Sequence, residues 1–337
     1  MLITCMQNAS VLECSLSTCK PCFHVLLGFL ITLLLLGSFS AVAQQTQFMQ
    51  QNIGDARLFT YAWTDSKDEQ HSLQFRLSTT QLRQMPPTGA AYNPQLAQQA
   101  VRMALLRYAK GIDPRQAKVD IQQQGAQLSL SVSSAVPGQA QAITEALAAQ
   151  QKAAQQAYLD KHFYTHYTNY NRQKAIKHDH ARYALESSQA MSVIVDAITQ
   201  SLENPKDQRE FINTALSWIQ SIPYDTLEDR ISSNGSGFAS PRQLLLSNKG
   251  DCDSKSTLMA AIMKAYAPTV DVRMIFLPEH ALLGIAMRKR PSDTSISLQN
   301  TEYVLLEPTG PAFYELGAIA PSSKNAIRNR QFTSELM

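Results

Sequence analysis

Apolar positions along this chain switch between a period near two and a period near 3.6, and each switch marks an element. Alternation over residues 58–63 and 73–77 predicts two strands. Residues 94–109 repeat Leu96, Val101, Leu105 and Tyr108 near the helical period. Residues 118–122 and 127–132 read as a hairpin around Gln124-Gly125. These elements together give a small α+β unit of order ββαββ. From 137 to about 172 Ala and Gln dominate and no breaker follows Gly138, which predicts one long connecting helix. Residues 186–202, with Met191, Ile194, Ala197 and Ile198, read as a second helix. A third is punctuated by Asn204 as N-cap and Pro205 at the first helical position. Its apolar face is Phe211, Ala215, Trp218, Ile219 and Ile222, and it stops before Pro223.

A polar, Gly- and Ser-rich loop over 225–240 leads through 241–246 into NKGDCDSKSTLMAAIM, residues 248–263. Asp251 is the expected N-cap of a helix in which Leu258, Ile262 and Tyr266 recur, with Met259 and Met263 widening the face. A helix apolar over so much of its girth belongs in a core. The period then returns to two. Val270, Val272, Met274 and Phe276 alternate as one strand, and 281–287 and 302–306 form two more around a polar loop. Antiparallel pairing of Met287 with Thr301 would set Ala281 opposite Glu307, with His280 beside it at the same end of the sheet.

Length and charge narrow the classes. The 337 residues suffice for one large domain or two ordinary ones. Lys and Arg number 30 against 27 Asp and Glu, and no like-charge run is long, so no nucleic-acid partner is expected. Residues 25–39 are apolar except Gly28, Thr32, Gly37 and Ser38, and end in Ser40-Ala41-Val42-Ala43. That pattern is a secretory signal peptide, residues 1–43, with cleavage after Ala43 and a periplasmic or secreted product. The alternative is an uncleaved inner-membrane anchor, since about 18 apolar residues just span a bilayer. The expected mature chain divides into 44–136 (ββαββ), 137–184 (helical connector) and 185–337. Cys5, Cys14, Cys19 and Cys22 lie in the leader, so Cys252 would have no partner for an internal disulfide. A lone thiol in an oxidising compartment is a liability unless it is buried or used.

Cys252 falls in the first turn of its helix, where the dipole and the free backbone N–H groups lower a thiol pKa. Asp251 and Asp253 flank it and act in the opposite direction, leaving the net sign open. With His280 and Glu307 it assembles a nucleophile, a base and an orienter for the base. His162 and His166, four apart, would share a helix face at metal-ligand spacing, with His178 and His180 following. HExxH is absent and no carboxylate completes a ligand set, so an aromatic packing face is expected, with no metal and no cofactor.

GDCDSK, a strand, then EHALLGIAM and EYVLLEPTGP resemble the transglutaminase-like core, a papain-related superfamily of cysteine peptidases and acyltransferases. WIQSIPYD and SPRQLLLSNKG upstream resemble its bacterial members, and the resemblance covers about residues 207–311. It implies an α+β fold whose nucleophile helix packs on an antiparallel sheet, with Cys252, His280 and Glu307 as the triad. Glu307 stands where Asp is usual, and His280-Ala-Leu lacks the aromatic that often follows. The implied activity is an exported cysteine hydrolase acting on a peptide or isopeptide amide of a protein or peptide. Cys252 N–H and Tyr224 would serve the oxyanion and Asp251 would border the substrate. Acyl transfer to a protein amine is the alternative chemistry. A non-catalytic binding or assembly module, with the N-terminal unit carrying the function, is the alternative class. Contact with a membrane would come only through the leader.

Overall fold

Alternation in ARLFTYAWT buries Phe59, Tyr61 and Trp63 along one side of a central strand. In the computed structural model, which describes residues 45–125, 127–229 and 235–337, that segment is the middle of a three-stranded antiparallel sheet. The leader expectation and part of the 225–240 loop lie outside the described residues. The sheet consists of β1 (Gln45–Ile53), β2 (Ala56–Thr64) and β3 (Gln70–Ser78). The Gln-rich β1 was not expected, because its polar, mostly exposed residues carry no readable alternation.

The short α1 (Thr79–Gln84) starts at a capping box between Ser78 and Gln81, and α2 (Pro94–Ala109) follows with Asn93 as N-cap. The hairpin β4 (Lys118–Gln124) and β5 (Gln127–Ser133) packs with α2 and α3 (Gln139–Lys161) around Val101, Leu105, Ile121, Ile143 and Leu147. Phe59, Tyr61, Phe75 and Leu77 instead join the main core, so apolar clustering crosses the boundaries expected from sequence.

The long helix is shorter than expected. It ends at Lys161, Phe163 takes a left-handed backbone (φ 58°), and the chain returns as the hairpin β6 (Tyr164–Thr168) and β7 (Lys174–His178). The β-forming run YTHYT prevails there over helical continuity. His162 and His166 therefore share no helix face. Asp179 caps α4 (His180–Ser188), so this helical stretch begins earlier than residue 186 and turns through 189–191 into α5 (Ser192–Ser201). Asp207, rather than Asn204, caps α6 (Gln208–Ser221), its carboxylate accepting the Arg209 and Glu210 N–H groups.

The main core is closed by α7 (Pro241–Ser247), α8 (Cys252–Tyr266), β8 (Val272–Leu277), β9 (His280–Ala286), β10 (Ser295–Leu298), β11 (Thr301–Leu306), α9 (Pro321–Arg328) and β12 (Thr333–Leu336). The five strands form one antiparallel sheet in the order β10-β11-β9-β8-β12. Residues 254–263 of α8 are all buried, and Leu258, Met259 and Ile262 pack with Leu283, Ile285 and Val304 of the sheet. The opposite sheet face carries Ile275, Leu282, Leu305 and Ile319. The fold is thus mixed α and β with antiparallel sheets. Among the described residues no helix is long and apolar enough to cross a membrane.

Candidate active site

Backbone geometry delivers Cys252 to the mouth of the core. Asn248 closes α7 in the left-handed region (φ 52°), and the chain passes through Gly250 into α8. A Cβ on Gly250 would come within 2.9 Å of Leu244 Cδ1 and 3.1 Å of Ser254 Cβ, so a larger residue there would require Leu244 and the start of α8 to shift. Asp251 caps α8 by accepting the Ser254 N–H at 3.1 Å and the Ser254 hydroxyl. Gly250 N–H donates to Pro223 O and Asp225 N–H to Gly250 O, both at 3.3 Å, so Tyr224 runs alongside the start of α8. Lys255, fully buried one turn into α8, donates to Ile222 O and holds the same segment from inside.

The half-buried Cys252 sulfur takes the backbone N–H of Ala281, the residue after His280. His280 Nε2 lies 2.9 Å from Glu307 Oε1. The register differs by one residue from the expected one: Leu306 faces Leu283 and Tyr303 faces Ala286. That slip decides the outcome, because neighbouring strand residues point to opposite faces. One step further along the observed register Glu307 faces Leu282, two residues from His280, so both side chains emerge on the same face. The expected pairing with Ala281 would have put them on opposite ones.

Glu307 is anchored on every side. Its Oε2 accepts the Ala320 N–H at 2.8 Å, and Gln220 Nε2 donates to its backbone carbonyl at 2.8 Å and to Tyr314 O at 2.9 Å. Burial alone would raise its carboxyl pKa, but the hydrogen bonds from His280 and Ala320 prevail and hold it below the ordinary range. An ionised carboxylate only accepts, so His280 Nε2 carries the proton that faces Glu307.

A second imidazole–carboxylate pair stands on the other flank. Asp253 Oδ1 is 3.8 Å from Cys252 Sγ, and Asp253 Oδ2 is 3.2 Å from Nε2 of the buried His180, close enough to pair though not aligned for a straight hydrogen bond. Lys177 Nζ lies 3.4 Å from His180 Nδ1 and 2.6 Å from Glu335. Burial raises the Asp253 carboxyl pKa, yet the contact with His180 outweighs it and holds the group well below the usual carboxylate range. Burial and the neighbouring Asp253 charge push Asp251 the other way. For the thiol, burial followed by the charges of Asp253 and Asp251 outweighs the backbone N–H groups at the helix start, and its pKa is pushed up to about 12. The tyrosine considered for the oxyanion, Tyr224, is half exposed. Burial first, then the charges of Cys252, Asp251 and Asp253, raise its phenol pKa.

His180 and the buried Lys255 were missed in the sequence. The apolar pattern of α8 marks Lys255 as interior, whereas nothing local ties His180 to a residue 73 positions away. Elsewhere, Asp65, Glu69 and His71 bring ligand atoms within 4.8 Å of one another. Asp65 there caps a tight turn, accepting the Lys67 and Glu69 N–H groups and pairing with His71 Nε2 at 3.0 Å. A cavity of about 710 Å³ beside that turn reaches Gln220 but not Cys252 or His280. No family model matches the chain, and neither the curated proteins nor the solved structures contain a match to it.

Proposed function

We propose that the chain is an exported cysteine hydrolase of the transglutaminase-like type, cleaving a peptide or isopeptide amide of a protein or peptide substrate. The observation that carries this reading is the His280–Glu307 pair at the end of β9, one residue from the backbone N–H that meets the Cys252 sulfur. In the reaction, Cys252 Sγ attacks the amide carbonyl carbon as its proton passes to His280 Nδ1. The carbonyl electrons move onto oxygen, which Cys252 N–H, free of intrahelical acceptors at the first turn, stabilises. Collapse breaks the C–N bond, His280 returns the proton to the leaving amine, and a thioester remains for water to hydrolyse. Glu307 orients the imidazole and stabilises its cationic form.

The test is incubation of the mature protein with a peptide mixture, read by mass spectrometry, with and without an added primary amine. New termini that require Cys252 support hydrolysis. Products heavier by the amine and lighter by ammonia indicate acyl transfer instead. No Cys252-dependent product of either kind would favour a binding module on the same fold.

A further inference from the structure

Two features of the second flank are unused by the mechanism above. One is the contact between Asp253 and the sulfur; the other is the support of Asp253 by a histidine from a separate helix. His180 is enclosed by Phe238 at 5.0 Å and Phe276 at 5.8 Å between ring centroids. Its tautomer follows from its neighbours. Lys177 is a donor only, so Nδ1 accepts and the proton sits on Nε2, facing Asp253 Oδ2. Asp253 then has one oxygen paired with His180 and the other turned to the thiol, and its carboxylate also shares a hydrogen bond with the Asp251 carboxyl.

We propose that Asp253 is a positioning residue that accepts the Cys252 S–H in the free protein, and that His180 fixes it for that task. The nucleophile therefore rests as a neutral thiol, and the proton leaves for His280 only when a substrate carbonyl arrives. This resting state builds on the hydrolase reading above. The groups facing the sulfur divide clearly. Asp251 caps α8 and Asp253 lies in its first turn, Tyr224 comes from the segment before the loop, and Ala281 N–H comes from β9; His180 on α4 and the interior Lys255 act through the two aspartates. Only Asp253 combines an oxygen aimed at the sulfur with a buried partner of its own. The upward push on the thiol agrees with this arrangement.

The test is the pH profile of Cys252 alkylation by iodoacetamide, measured on folded full-length protein. Asp253→Asn should move the midpoint down by at least about one unit, a tenfold gain in thiolate at fixed pH. Because a less basic thiolate is a weaker nucleophile, the rate near pH 7.5 should rise only about threefold to tenfold. His180→Phe should lower the midpoint by less and add nothing to Asp253→Asn in the double variant, whereas His180→Gln, which keeps an N–H donor, should stay near wild type. Asp253→Glu, which keeps the charge, should also stay near wild type and shows that any shift is not a folding defect. A midpoint unmoved or raised in Asp253→Asn overturns the proposal. The readout needs no turnover, so a shifted midpoint in a protein without hydrolase activity would retire the hydrolase reading alone.

Discussion

Two imidazole–carboxylate pairs stand near Cys252, one through Asp253 beside it and the other one residue from the Ala281 N–H that meets its sulfur, and they are built in opposite order. On the sheet side the imidazole is the inner member. His280 stands next to the N–H that meets the sulfur, its side chain is 23% exposed, and Glu307 behind it is buried. On the helix side the carboxylate is the inner member: Asp253 approaches the sulfur, 26% exposed, and His180 behind it is 2% exposed. A neutral imidazole beside a thiol can take its proton and later return it, as general acid–base catalysis requires. A carboxylate held ionised beside a thiol opposes the thiolate. On the proposed mechanism, the same two side-chain types act as a proton shuttle on one flank and a proton holder on the other.

The sharpest way to break this contrast is to delete each imidazole. His280→Ala should lower turnover by about 10²–10⁴-fold, and His180→Ala by less than about tenfold, in a hydrolysis assay with folding checked by circular dichroism. Equal losses would mean that the two pairs are interchangeable.

Acid separates the flanks next. His178, stacked on Phe238 beside His180, has its pKa lowered by burial, and then by His180, from 6.5 to about 4. A folded-state imidazole pKa below the unfolded value means that the unfolded chain binds the proton first. Stability is then full above pH 6.5 and falls as the pH drops toward 4, by about 3 kcal/mol for this group. The depressed Glu307 carboxyl loses its contribution only below its unfolded value of 4.5, in a lower window. Urea unfolding at intervals of pH should show the loss below 6.5, and His178→Phe should reduce it, the remainder coming from His180, whose pKa burial also lowers.

Glu307→Gln keeps the shape but removes the charge behind the imidazole. The corresponding change in a serine triad costs about 10⁴. A thiol is intrinsically a stronger nucleophile than a hydroxyl and leans less on its base, so a smaller loss on the order of 10–10³ is expected. Glu307→Asp should be milder. The smallest effect should come from Gln220→Ala, which removes both hydrogen bonds beneath Glu307 and Tyr314. A loss of about 1–2 kcal/mol in unfolding free energy is expected, with a several-fold fall in turnover.

Much of this was readable wherever the apolar period was long and uninterrupted. The α8 helix, its Asp251 cap and the β8, β9 and β11 strands lie within a residue or two of their expected positions. The expectation failed where local pattern carries no information about partners. β1 is mostly polar and β10 is only four residues long, and both become strands because a neighbour supplies their hydrogen bonds. The β11–β9 register depends on packing across the sheet, and its one-residue slip is what puts His280 and Glu307 on one face. His180 reaches Asp253 only through tertiary folding, and the burial that most raises the thiol pKa is likewise set by packing, which is why the sequence left the sign of the shift open.

The central claim is that Cys252 is a nucleophile activated by His280. The direct measurement is acylation by an activated p-nitrophenyl ester in stopped flow, with the adduct located by peptide mapping. The account predicts a burst of p-nitrophenol close to one equivalent and an acyl group on Cys252. Both should be absent in Cys252→Ala and strongly slowed in His280→Ala. An adduct on another residue, or equal burst rates in wild type and His280→Ala, would contradict it.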